Sequence, residues 1–244
     1  MRFFFIYFIT AILVLVGFLG FYAVTYVLTK NNQLLNYALH LVLVGSVLSQ
    51  NSKRLISKSL TQHFGSTLRT VLGVFIGQRL VMEGFMALVA PLSWWQHWVE
   101  NYNSIFQQLP PAELLSNILV LGPVREEVFF RWMYTGLTRK HQTSNPYLMI
   151  LFSSLTFTFI HPPVAWLNAF IWGWTLMLFY LKTQSLVFVI VVHSLANALA
   201  YVFPLNSRLQ SDTPLLGMFL NLLWLTTGFL LVFFSLKSLF KTIT

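Results

Sequence analysis

LLSNILVLGPVREEVFFRWMYTGLT, residues 114–138, is long and apolar enough to cross a bilayer, yet Arg125, Glu126, Glu127 and Arg131 stand in its middle. A spanning helix needs about 20 mostly apolar residues. A charge at the bilayer centre costs about 2.5–3.5 kcal/mol on insertion scales, and such residues face a bundle interior or a cavity rather than lipid. The stretch therefore predicts a helix inside a membrane, and a protein interior for its charges to face.

The rest of the chain supplies that interior. Hydrophobic residues make up 57% of the 244 and charged residues 9%, against about 25% charged in a typical soluble domain. So apolar a chain cannot cover itself with polar surface, and its solvent is largely lipid. Apolar segments recur at 3–29, 33–50, 69–94, 114–138, 146–161, 164–181, 184–202 and 214–236. The expected fold class is all-α, a polytopic membrane bundle of about eight transmembrane helices. The segments 146–161 and 164–181 are short and divided by His161-Pro162-Pro163, so a re-entrant pair is the alternative there. The residue before a proline is pushed out of the α region, which puts His161 at a helix end. The first segment exceeds a signal-peptide core of roughly 7–15 residues and has no small-x-small cleavage site, so it reads as a retained signal anchor.

With eight spans, one side of the membrane carries Arg2, Lys53, Arg54, Lys58, Arg69, Arg139, Lys140, Lys182, Lys237 and Lys241, and the other only Lys30 and Arg208. That asymmetry places both termini in the cytoplasm. The net charge of +9 thus encodes topology, and no clustered basic patch points to nucleic acid. The expected partners are membrane lipid and a membrane-associated peptide or protein. A compact chain without soluble domains points to a bacterial plasma membrane. Three parts are expected: N-terminal spans over 1–109, a core over 110–205, and a C-terminal helix over 206–244. His63, His97 and His141 fall in polar loops and read as solvated. Without cysteine there is no disulfide, thiol catalysis or cysteine-ligated metal.

Several charged groups inside the spans have ordinary explanations. Arg79 and Glu83, four apart, can pair on one helix face, and His40 reads as a packed or hydrogen-bonded histidine. Residues 122–131 differ. Glu127 and Arg131 are again four apart. Glu126 points about 100° away from Glu127, and its own neighbour four residues on is Phe130. Arg125 is adjacent but faces a third direction, a poorly aimed counter-ion. Pro123 removes a backbone donor and predicts a kink. A carboxylate left without an intrahelical partner suits general base or acid chemistry. Further on, Phe157 and His161 share a face, so the ring can wall a pocket beside the imidazole. His193 and Asn197 form another polar pair at that spacing, for which bonding between helices is the bland account. Three helices then contribute a glutamate and two histidines.

Peptide hydrolysis in lipid needs an activated water and a donor to the oxyanion. The His-Glu-x-x-His zinc helix is absent, the chain has a single aspartate, Asp212, and no Gly-x-Ser-x-Gly elbow occurs. What remains is a glutamate acting with histidines, with or without a metal.

The pattern Glu126-Glu127-x-x-x-Arg131, Phe157-x-x-x-His161, His193-x-x-x-Asn197 resembles the three-motif signature of the CPBP family, which groups type II CAAX prenyl endopeptidases with bacteriocin-processing and immunity (Abi) proteins. The resemblance covers roughly residues 110–205, and each motif is loose alone but specific in combination. It implies an intramembrane endopeptidase in which Glu126 and His161 activate the water, His193 and Asn197 form the oxyanion site, and Glu127 and Arg131 brace the helix. The sequence demands no cofactor; zinc is the one this set could hold, through Glu126, His161 and His193 with one position open. Two other classes compete: a non-enzymatic immunity or scaffold protein, and a transporter using the same groups as a proton relay.

Overall fold

The computed structural model describes residues 2–29, 64–89, 111–140, 145–202 and 214–240, with isolated positions between 35 and 45 and between 92 and 100. Among these residues the chain is helical and has no strand. The elements are α1 (Arg2–Thr29), α2 (Phe64–Val89), a composite α3 over 111–140, α4 (Pro146–Phe159), α5 (Trp166–Thr183), α6 (Leu186–Val202) and α7 (Pro214–Phe240). Segments rich in Phe, Val and Ile become helices here because lipid offers no partner to a backbone N–H or C=O, and a helix satisfies its own. Buried hydroxyls follow the same rule: Ser154, Thr156, Thr158 and Thr175 donate to the carbonyl four residues back. Four helical stretches are long and apolar enough to cross a membrane, Phe4–Val27, Leu68–Val89, Pro163–Thr183 and Gly217–Lys237. Pro146–Phe159 and Leu186–Val202 are shorter apolar helices. The outer faces of α1 and α7 carry exposed Phe5, Phe8, Leu19, Phe219, Phe233 and Phe234, the surface of a protein whose solvent is lipid. An all-α membrane bundle is what these residues form; the expected span at 33–50 lies largely outside the described residues, as do His63 and His141.

Two seams hold the site in place. In the first, Asn145 starts α4: its side chain accepts the Tyr147 and Leu148 N–H groups at 3.0 and 3.2 Å, with Pro146 at the first helical position. The Asn145 backbone N–H donates to the Tyr7 hydroxyl at 2.9 Å, and that hydroxyl donates back to the Asn145 carbonyl at 3.1 Å. This ties the beginning of α1 to the beginning of α4, and both sit against α3 through Phe18, Phe129 and Phe130.

The second seam joins α2 to an antiparallel α7. A Cβ on Gly77 would lie 2.8 Å from the Gly228 carbonyl oxygen, and one on Gly228 would lie 2.5 Å from the Gly77 carbonyl oxygen. Backbones this close are the small-residue packing that holds helices together when lipid supplies no hydrophobic drive. Gly77→Leu is therefore expected to lower the thermal midpoint in detergent by the upper end of the about 1–3 kcal/mol that overpacking costs. Gly20→Leu, at a position with nothing within 4 Å, is the matched control and should leave the midpoint where it was. Similar midpoints for the two variants would refute the close seam.

Candidate active site

The kink expected at Pro123 takes the form of a change in helix type. Within α3, an α-helical Gly122–Glu127 is flanked by π-helical Asn117–Leu121 and Val128–Met133. The Gly122 N–H donates to the Asn117 carbonyl five residues back, so that N–H is not available to Ile118. The π-helical donor for Ile118 would be residue 123, a proline with no N–H. Its carbonyl accepts instead from Asn197 Nδ2 on α6 at 2.9 Å. The sequence motif suggested an oxyanion donor at Asn197; the structure gives its amide a backbone partner, and with it the job of covering a carbonyl that Pro123 orphans. Asn197→Ala is expected to cost about 1–3 kcal/mol of stability, the penalty for an unsatisfied buried acceptor. The loss should shrink when Pro123→Ala restores the helix donor. Thermal unfolding of the two single variants and the double variant in detergent measures that coupling, and strict additivity would count against it.

Below that turn runs a chain of charged groups. Arg131 and Glu127, both 0% exposed, form an ion pair with Nε and Oε2 3.1 Å apart. The other Glu127 oxygen accepts from His193 Nδ1 at 2.8 Å. The opposite ring nitrogen, Nε2, faces Glu126 Oε2 at 3.7 Å, and Glu126 is 13% exposed. Burial is thus graded along the chain, complete at Arg131 and Glu127 and least at Glu126. Arg131 is steadied a second time: Nη1 donates to Ser153 Oγ at 3.1 Å, and that hydroxyl donates to the Phe130 carbonyl at 2.6 Å.

His161 enters from α4. That helix has 14 residues, a rise of about 21 Å against a hydrocarbon core of about 30 Å. His161 stands two residues beyond the last helical residue. Its Nδ1 lies 2.8 Å from the Phe157 carbonyl, and Trp166 Nε1 donates to its carbonyl at 2.8 Å. A carbonyl can only accept, so Nδ1 carries the hydrogen and a neutral His161 presents the lone pair of Nε2. Phe157 is the hub of the assembly. Its ring centroid is 4.7 Å from that of His161, 5.8 Å from that of His193 and 5.7 Å from that of Phe130, while the Arg131 guanidinium sits 5.0 Å away over its face.

The structure thus gathers Arg131, His161 and His193 around the Phe157 ring, with Glu127 and Glu126 joined to that group through Arg131 and His193 and Asn197 one turn beyond His193. Sequence reasoning missed the Glu127–His193 contact, the support from Ser153, and the direction of Arg125, whose guanidinium lies over the rings of Phe18 and Tyr22 at 5.4 and 4.9 Å. Only Ser153-Ser154, a polar pair inside an apolar segment, left a readable trace. Elsewhere, Arg79 donates to the Ala200 carbonyl at 3.0 Å and stacks on Phe75 as well as feeling the charge of Glu83. His40 is buried against Phe21. As for a metal, no group of three or more His, Asp or Glu side chains among the described residues is arranged to hold an ion, although Glu126 and His193 approach each other.

Residues 108–199, which include every member of this assembly, match the family model described as Rce1-like, the type II CAAX prenyl endopeptidases. That family is one of peptidases, and the matched stretch is the one whose three motifs carried the resemblance. No curated protein matches the chain, and no solved structure does.

Proposed function

We propose, from the premise of an Rce1-like domain at residues 108–199, that this chain is an intramembrane endopeptidase that hydrolyses a peptide bond with a water activated by Glu126 and His161. The observation that carries the reading is the chain Arg131–Glu127–His193–Glu126, fully buried at Arg131 and least buried at Glu126. It brings the Glu126 carboxylate within 3.7 Å of His193 Nε2, and the Phe157 ring packs against both His193 and His161.

The steps follow from the atoms. Water between Glu126 and His161 gives a proton to the Glu126 carboxylate as its oxygen attacks the scissile carbonyl carbon. His161, whose Nδ1–H is held by Phe157, offers Nε2 as acceptor for the water's second hydrogen and so fixes its lone pair toward the substrate. Negative charge collects on the carbonyl oxygen, where an Nε2–H of His193 can hydrogen-bond to it without giving up its proton. Before the water gives up its proton, a cationic His193 would bring the formal charges of Arg131, Glu127, His193 and Glu126 to zero, and during the attack the oxyanion takes over the negative charge that Glu126 loses. Glu127 holds the ring by Nδ1 and keeps Nε2 aimed. Glu126 then returns its proton to the leaving nitrogen as the C–N bond breaks.

The asymmetry of loop charge supports a plasma-membrane protein with cytoplasmic termini, and on that topology the Pro162 turn faces away from the cytoplasm. A membrane-associated peptide, as in bacteriocin processing or self-immunity, fits that access. The test is cleavage of lipid-anchored and hydrophobic peptides by protein reconstituted in nanodiscs, with metal content measured on the same sample and Glu126→Gln as the blank. Peptide binding without cleavage by the wild type would favour a non-enzymatic partner role.

A further inference from the structure

The guanidinium of Arg125 has no carboxylate partner among the described residues. Glu126 and Glu127 are turned toward His193, Glu83 acts on Arg79, and Glu100 is exposed on a separate segment. The Arg125 Nε–H is buried and donates to no partner. Phe18 and Tyr22 of α1 cover the charge, an aromatic clasp that holds an arginine through its faces and leaves its N–H edge for a ligand. Depth decides which ligand. Arg125 lies about 20 Å from either end of α3 at 1.5 Å per residue, whereas the half-thickness of the hydrocarbon core is about 15 Å. Lipid phosphates sit at the surface, and an arginine that served them would extend outward; the position of Arg125 near the middle of α3, with Phe18 and Tyr22 over its guanidinium, argues for a deeper ligand.

We infer that Arg125 binds a carboxylate of the peptide substrate, within a few residues of the scissile bond. The inference rests on the peptidase reading of the neighbouring site, because Arg125 and Glu126 are adjacent and diverge by about 100° around the helix. A peptide whose carbonyl reaches Glu126 passes its next residues toward the Phe18–Tyr22 clasp. There a guanidinium meets a carboxylate in a setting where the pair is worth most. Two sources of carboxylate fit, a free C-terminus and an acidic side chain.

Binding can be measured without turnover. Glu126→Gln protein in nanodiscs is titrated with a dansylated apolar tetrapeptide bearing a free C-terminal carboxylate, with its C-terminal amide, and with an amidated version carrying glutamate at its last position. At least one acid should bind about tenfold or more tighter than the plain amide, the worth of a charge-assisted hydrogen bond, and which acid does so identifies the source. Arg125→Met should erase the preference, while Arg125→Lys should keep part of it. Equal binding of all three probes overturns the inference even if the wild type cleaves peptides, and so does a preference that survives Arg125→Met. If Arg125→Met does not fold, the probe comparison and Arg125→Lys still decide. Failure of cleavage with the carboxylate preference intact would instead remove the peptidase reading and leave the anion site standing.

Discussion

Glu126→Gln is expected to abolish peptide cleavage, a drop of at least about 10²–10⁴-fold, the range that a positioned general base contributes. The amide is nearly the same size, so the helix and its packing should survive, and the thermal midpoint should stay close to that of the wild type. A carboxamide cannot take a proton from water, although it can still hydrogen-bond to it. Loss of rate without loss of binding is therefore the expected pattern in nanodisc assays that record both. His161→Ala should follow the same pattern, since its Nε2 addresses the same water. Cleavage at the wild-type rate by Glu126→Gln would end the mechanism proposed here, whatever the protein's fold.

Arg131→Met is expected to act on stability first. Glu127 and Arg131 are both fully enclosed, and removing one member of a buried pair costs about 3–5 kcal/mol because the other charge stays behind uncompensated. The variant should be depleted from the membrane fraction or unfold at much lower temperature in detergent. Adding Glu127→Gln removes the stranded charge as well, and the double variant should recover most of the lost stability. Activity should not return with it, because a neutral amide at position 127 no longer steadies a protonated His193. Full cleavage by the double variant would show that the pair serves packing alone, and normal stability of Arg131→Met would show that Glu127 has another cation within reach.

How much of this was legible before coordinates depended on whether one helix or two were involved. Glu127 with Arg131 and Phe157 with His161 could be read directly, because spacing by four fixes neighbours on a single helix. The contact of His193 with Glu127, the gift of the Asn197 amide to Ile118, and the turn of Arg125 toward Phe18 all cross between helices. Those depend on how each helix is rotated about its own axis. In a soluble bundle an apolar stripe announces that rotation; in lipid both faces are apolar, as the outward phenylalanines of α1 and α7 show. Pro123 was legible as a break, but its form was not. The π turns around Gly122–Glu127 depend on Asn197 being close enough to take over the carbonyl that proline leaves unserved.

The brevity of α4 reaches past the protein into its surroundings. Fourteen residues rise about 21 Å, less than the hydrocarbon core of about 30 Å, and a short helix is accommodated by a thinner bilayer around it. On the proposed mechanism such thinning would bring water toward His161, and peptide cleavage in nanodiscs is expected to fall as the lipid acyl chains are lengthened.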